Sequence, residues 1–224
     1  MTLNGESLLL TPEGAAFRPA CRTLVVADLH FEKGSAMAAR SRRLAPPYDT
    51  AATLERLALT MRRTRPARVV ALGDSFHDAD GPARLAPLER SRIAALTASV
   101  EWVWAAGNHD PAPPADLGGK GAAEIALGNL ILRHQPRPGA APGEVAGHLH
   151  PKASVATAAR RVSAFCFVTD GARMVLPAFG AYTGGLDVQA PPIRSLFRRG
   201  FRIFLLGRER LYAFPMASLA GGGR

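Results

Sequence analysis

The chain has 224 residues, 47% hydrophobic, with two cysteines and a formal net charge of +10. That length builds one domain with a sizeable core, and two cysteines without CxxC spacing exclude a disulfide scaffold or a cysteine-metal cluster. No run approaches the roughly 20 apolar residues of a membrane span, and the basic excess (28 Lys and Arg against 18 Asp and Glu) favours a polyanionic partner, nucleic acid first.

The start, MTLNGESLLL, lacks a basic region followed by a long apolar run, so a cytoplasmic protein is expected. Leu24–Ala27 reads as a buried strand. Asp49 and Thr50 open a helix running to about Arg63, with apolar Ala52, Leu54, Leu57, Leu59 and Met61 and flanking arginines. Val69–Leu72 is the next strand, Gly81-Pro82 precedes one helix over 83–98, and Val100–Ala105 is a tryptophan-rich strand. Strand alternating with helix predicts parallel pairing by crossovers. Beyond residue 100 helical periodicity fades. The Pro/Gly-rich stretch 111–121 reads as a surface loop, 126–131 as two strands about Gly128-Asn129, 165–176 as a hairpin with an Asp-Gly turn, and 201–206 with 211–214 as another. The expected architecture is two mixed β-sheets face to face, flanked by helices in a four-layer α-β-β-α sandwich. It forms one domain over 1–218, with a frayed tail at 219–224.

Polar residues end these apolar runs in a repeated way. Asp28-Leu29-His30 follows the first strand, Gly73-Asp74 the second, and Gly107-Asn108-His109-Asp110 the third. His134 follows Leu130–Arg133, and His148-Leu149-His150 follows the run ending at Gly147. In an extended chain i and i+2 point the same way, so Asp28 with His30, and His148 with His150, can each grip one ion. The glycines of Gly73-Asp74, Gly107-Asn108 and Gly147-His148 read as permitting tight turns. Ligands bind at strand carboxyl ends in open α/β sheets. Asp28, His30, Asp74, Asn108, His134, His148 and His150 are too many donors for one four-coordinate zinc. They suit two divalent ions, manganese before iron or zinc, and so hydrolytic phosphoester chemistry. His77 stands alone inside Ser75–Asp78 and is not read as a ligand.

The set DLH, GDSFHD, GNHDP, LRH and GHLH resembles the calcineurin-like metallophosphoesterases. By position, the resemblance implies one ion on Asp28, His30 and His150, another on Asn108, His134 and His148, and Asp74 between them. HFEKGSA, LAPPYDT, RHQP, GHLHPKA and LPAFGAYTGGL are further similar to the ligase-associated DNA damage response endonuclease (PdeM) group. That implies a bacterial phosphodiesterase acting on DNA and associated with an ATP-dependent DNA ligase, a helicase and an exonuclease.

His109 is placed to protonate a leaving alkoxide, with Asp110 orienting its ring. Lys33, Arg40, Arg42 and Arg43 form either a phosphate-binding rim or a solvated helix face. Tyr182–Gly185 reads either as a polar loop at the cleft or as a scaffold turn. A small-molecule phosphoesterase, a nucleotide or UDP-sugar-lipid pyrophosphatase, and a non-catalytic scaffold are the alternatives. Charge favours DNA, the absence of an amphipathic membrane helix weighs against a lipid, and the complete donor set weighs against a scaffold.

Overall fold

The computed structural model describes residues 1–40, 48–112, 115–156, 160–197 and 199–219. Arg42, Arg43 and the tail from residue 220 lie outside them.

A small antiparallel pair, β1 (Thr2–Leu3) and β2 (Glu6–Ser7), precedes the first sheet. That sheet holds β3 (Leu9–Leu10), β4 (Ala16–Arg18), β5 (Thr23–Val26), β6 (Arg68–Leu72), β7 (Glu101–Ala105) and β8 (Lys120–Ala122), in that spatial order. From β5 to β8 the pairing is parallel. The connections carry α1 (Lys33–Arg40) and α2 (Asp49–Thr64), then α3 (Gly81–Arg84) and α4 (Pro87–Ser99).

Two expectations change here. The single helix over 83–98 is two helices, because Pro87 holds Ala86 extended (φ −63°, ψ 151°) and a new helix starts at the proline. The stretch 111–121 is not all loop. Its end pairs with β7 as β8, and the Trp104 indole donates to the Gly118 carbonyl at 2.8 Å, fastening the approach.

The second sheet holds β9 (Glu124–Leu127), β10 (Leu130–Arg133), β11 (Glu144–Ala146), β12 (Pro151–Ala156), β13 (Arg161–Thr169), β14 (Met174–Val175), β15 (Leu186–Asp187), β16 (Arg202–Leu206) and β17 (Leu211–Pro215). Its order is β15-β12-β13-β14-β11-β10-β9, with β16 on β13 and β17 on β16. The two-residue turn Gly128-Asn129 joins β9 to β10, as the sequence suggests.

Side-chain alternation divides the core. Leu24, Val26, Val69, Ala71, Trp102 and Trp104 face α2 and α4, where Leu54, Leu57 and Ile93 meet them. Val25, Ala27, Val70, Leu72, Val103 and Ala105 face the second sheet, against Leu130, Leu132, Val145, Phe167 and Met174. The outer face of the second sheet has a thin cover: the one-turn α5 (Pro191–Arg194) with Phe197 and Phe201. The architecture is two mixed sheets flanked by helices, as expected. The parallel strands β5, β6, β7, β10 and β11 all end on one edge, which is where the polar motifs fall.

Candidate metal centre

Two groups of side chains converge on that edge: Asp28, His30 and His150 in one, Asp74, His134 and His148 in the other. Within each, the donor atoms lie within 4.8 Å of one another. His30 Nε2 and His150 Nε2 are 3.2 Å apart, and His150 Nε2 is 3.3 Å from Asp28 Oδ1. His134 Nε2 meets Asn108 Oδ1 at 2.9 Å, His148 Nδ1 at 3.2 Å and Asp74 Oδ1 at 3.3 Å. His134 Nδ1 also lies 3.8 Å from Asp28 Oδ1, so the groups adjoin. All seven expected ligands are thus brought together.

The tautomers can be read from the backbone. A carbonyl only accepts, so His150 Nδ1–H donates to Gly184 O (3.1 Å) and His134 Nδ1–H donates to Leu72 O (3.1 Å). In its neutral form each ring then turns Nε2 as a lone pair toward carboxylates and other nitrogens. Nitrogens and carboxylate oxygens crowded this closely are a donor set that a shared cation would serve, and a backbone acceptor behind a histidine is the usual support of a metal ligand. The donor chemistry therefore fits two divalent ions.

Electrostatics tune the two groups differently. Burial drives His30 down to about 3, and His150 beside it adds to that, so its ring is neutral and ready to ligate. Burial opposes the charge of Asp74, but the hydrogen bond and charge of His134 outweigh it and hold the carboxyl well below the usual range. Burial likewise disfavours a charged His134, and its contacts with Asp74 and Asp28 reverse the balance and raise it. His148 is lowered by burial and by His134.

The backbone reaches this arrangement differently from the sequence expectation. Asp28 (φ 55°), His30 (φ 44°), Asp74 (φ 46°), His148 (φ 67°) and His150 (φ 45°) are all left-handed. DLH and HLH are therefore not extended strand ends. Each places its two ligands together by alternating a left-handed residue, a leucine, and a second left-handed residue. Such conformations cost about 1–3 kcal/mol each and gather where surrounding contacts enforce them. Asp28 N donates to Gly73 O (3.2 Å), His30 N to Asp74 O (2.9 Å) and Gly180 N to Asp28 O (3.0 Å).

The glycines also divide into two kinds. Gly73 does sit in a turn (φ 74°), and a Cβ there would lie 2.4 Å from the His134 ring. Gly107 and Gly147 have no such φ. They allow close approach instead: a Cβ would meet Asp74 N at 2.2 Å in one case and Asp28 Oδ2 at 2.7 Å in the other.

His109 donates its backbone N–H to Asp74 Oδ1 (3.0 Å), and its ring Nε2 is 3.9 Å from Asp74 Oδ2. Asp110 does not reach that ring in an ion pair. Its Oδ2 accepts from Phe76 N (3.0 Å), while burial raises the carboxyl to about 7. A partly buried Lys33 opens α1 at the edge of the centre, and burial lowers its ammonium. Arg40 is paired with Asp78 at 3.0 Å.

Spacing arguments missed three features. The Gly184 and Leu72 carbonyls orient ligands, and the 182–185 stretch thereby acts as scaffold. His77 stacks on His109, with centroids 5.5 Å apart and planes at 19°. Two open cavities, each about 450 Å³, flank the loop after His134. One is lined by Asn108, His134 and Arg137, the other by His148, Leu149 and Ser195, and both by Gln135, Pro136 and Pro138. Among the described residues no helix is long and apolar enough to cross a membrane.

A nuclease of Pseudomonas putida, known as a crystal structure, is 29% identical to this chain. The match covers 95% of this chain and 98% of that one, with a TM-score of 0.73. A phosphoesterase from E. coli, Yfce, matches at 14% identity over 87% and 98% of the two chains, with a TM-score of 0.42. No curated protein matches. The model of the calcineurin-like phosphoesterase family matches residues 21–166, well over half the chain and the whole run of motifs from DLH to GHLH. A family match of that extent, on a sheet edge carrying two groups suited to divalent ions, shows that this chain belongs to the calcineurin-like phosphoesterases and is a metal-dependent phosphoesterase.

Proposed function

We propose that this protein is a manganese-dependent phosphodiesterase cutting DNA within a cytoplasmic repair system that includes an ATP-dependent DNA ligase, a helicase and an exonuclease. The observation that carries the hydrolytic part is the convergence of two imidazole and carboxylate groups around His134 Nε2 and His150 Nε2. Asp28, His30 and His150 would hold one ion, Asn108, His134 and His148 the other, with Asp74 shared. Two divalent ions there would supply Lewis acidity toward a phosphoryl group and acidify water toward neutrality.

The protein's own groups do the rest. Asp74 stays ionised, held by His134 and by the His109 backbone N–H. His109, 39% exposed at the mouth, delivers a proton to the departing oxygen. Asp110 steadies the turn through Phe76 and so fixes where His109 sits. Nucleic acid as substrate is supported by the net charge of +10, by two open cavities flanking the loop after His134, and by the likeness to the Pseudomonas putida nuclease. The ligase, helicase and exonuclease association rests on the resemblance of the finer motifs.

The test is an assay of purified protein with manganese on a model phosphodiester, a phosphomonoester, and single- and double-stranded DNA. Cleavage of DNA, abolished in Asp74→Ala, is expected. Turnover of small esters with no action on DNA at low salt overturns the nucleic-acid reading.

A further inference from the structure

His77 lies outside both ligand groups, yet it stands among them. The rings of His30, His77 and His109 form a triangle with every side 5.5 Å. The position is built rather than incidental. His77 N donates to Phe31 O (3.0 Å), and Phe31 bridges in parallel to Phe76, so the segment carrying His30 runs beside the one carrying His77. Lys33 closes the same side. It is partly buried, and its charge is felt by both His30 and His77. Among the described residues it makes no ion pair within 4 Å. Asp49, the carboxylate facing it, already accepts from Gly34 N.

His77 Nδ1 is buried and without a hydrogen-bond partner. A stranded buried N–H is the rarer and costlier orphan, which puts the ring proton on Nε2. The His77 and His109 rings thus stand together beside His30, with the Lys33 ammonium near enough for its charge to act on His30 and His77. Arg40 and Arg84 are not available to this cluster, since both are engaged with Asp78.

We infer that His77 and Lys33, together with His109, form a seat for the non-bridging oxygens of the phosphoryl group undergoing hydrolysis. His77 is then a substrate-contacting residue rather than an idle neighbour of the ligands. Its face against His109 also keeps that ring from turning. The inference rests on the hydrolytic reading above and adds to it the residues that recognise the phosphate.

The experiment uses manganese-loaded protein and inorganic phosphate as the probe. Phosphate affinity is measured by calorimetry, metal content by elemental analysis, and kcat and KM on a model phosphodiester. Loss of a hydrogen bond to a charged group is worth about ten- to hundred-fold. His77→Phe, which keeps a stacking ring and removes the donor, should weaken phosphate binding by about that factor with both ions retained. His77→Gln, which restores an N–H near the Nε2 position, should recover most of it. Lys33→Met should weaken phosphate binding in the same direction. Unchanged phosphate affinity in both His77→Phe and Lys33→Met overturns the inference, as does loss of metal from His77→Phe, which would make His77 part of the ion site. A wild-type protein that binds no manganese and hydrolyses no ester overturns the hydrolytic reading itself, an outcome separate from these.

Discussion

DLH and HLH have the same backbone turn and the same central leucine, but their surroundings differ. Asp28 and His30 are 0% and 5% exposed, and Leu29 is buried. Their backbone is laced to Gly73, Asp74 and Gly180 on both sides. His148, Leu149 and His150 are only partly buried, and His148 and Leu149 line an open groove. The link between the two turns is asymmetric as well: His148 N donates to Asp28 Oδ2 (2.9 Å), so the second turn leans on the carboxylate of the first. One wall of the centre is therefore a fixed floor within the first sheet, and the other is the side a substrate meets. A pair of identical local turns becomes support and rim through what packs around each.

That comparison breaks most completely at the floor. Asp28→Ala should remove a metal ligand and leave the His148 amide without its acceptor. An unsatisfied buried donor costs about 1–3 kcal/mol. Hydrolysis should vanish and the metal-free protein should melt earlier, whereas His148→Ala should lose activity and metal with little change in the melting temperature without metal. Equal destabilisation by the two variants, read by thermal denaturation in chelator, would show that the walls are alike.

Gly73→Ala should come next. Its Cβ falls 2.4 Å from the His134 ring at a φ of 74°, so both the turn and the ring must move. Elemental analysis should find the His134 ion depleted and the Asp28 ion largely kept. His109→Ala, at the mouth, should lower turnover by about 10²–10⁴-fold while both ions stay bound. Metal loss in proportion to activity would make His109 structural.

The smallest effect concerns pH. Burial raises Asp110 to about 7 in the folded protein, above its ordinary carboxylate value of 3.8. A folded pKa above the unfolded one gives stability that is present below about pH 4 and lost as pH rises through about 7. Asp110→Asn keeps an oxygen for Phe76 N and cannot ionise. In chelator at pH 8 it should melt higher than wild type, by about 4 °C or more. The two proteins should converge near pH 4, and a gap that does not narrow with falling pH would contradict the assignment.

Much of this was legible before the fold. Leu24–Ala27, Val69–Leu72 and Val100–Ala105 are apolar runs too short for helices and bounded by Asp, Gly or Asn, so their strand character and their polar ends follow from local pattern. The seven proposed ligands could be named for the same reason, since each sits just after such a run. The break at Pro87 was also local, but an unbroken apolar pattern hid it.

What the chain alone did not reveal depends on contacts between residues far apart in sequence. Nothing near His150 announces that Gly184 will orient its ring, and nothing near Asp110 says that its carboxylate turns to Phe76 rather than to His109. His77 looked solitary because its neighbours, His30 and His109, are 47 and 32 positions away. The residue types at the strand ends were determined by sequence, because an ion needs those donor atoms whatever the backbone does. Their left-handed turns, tautomers and unequal burial were decided by tertiary structure, because the hydrogen bonds that hold them come from neighbouring strand ends, the second sheet and the 179–186 segment, all distant in sequence.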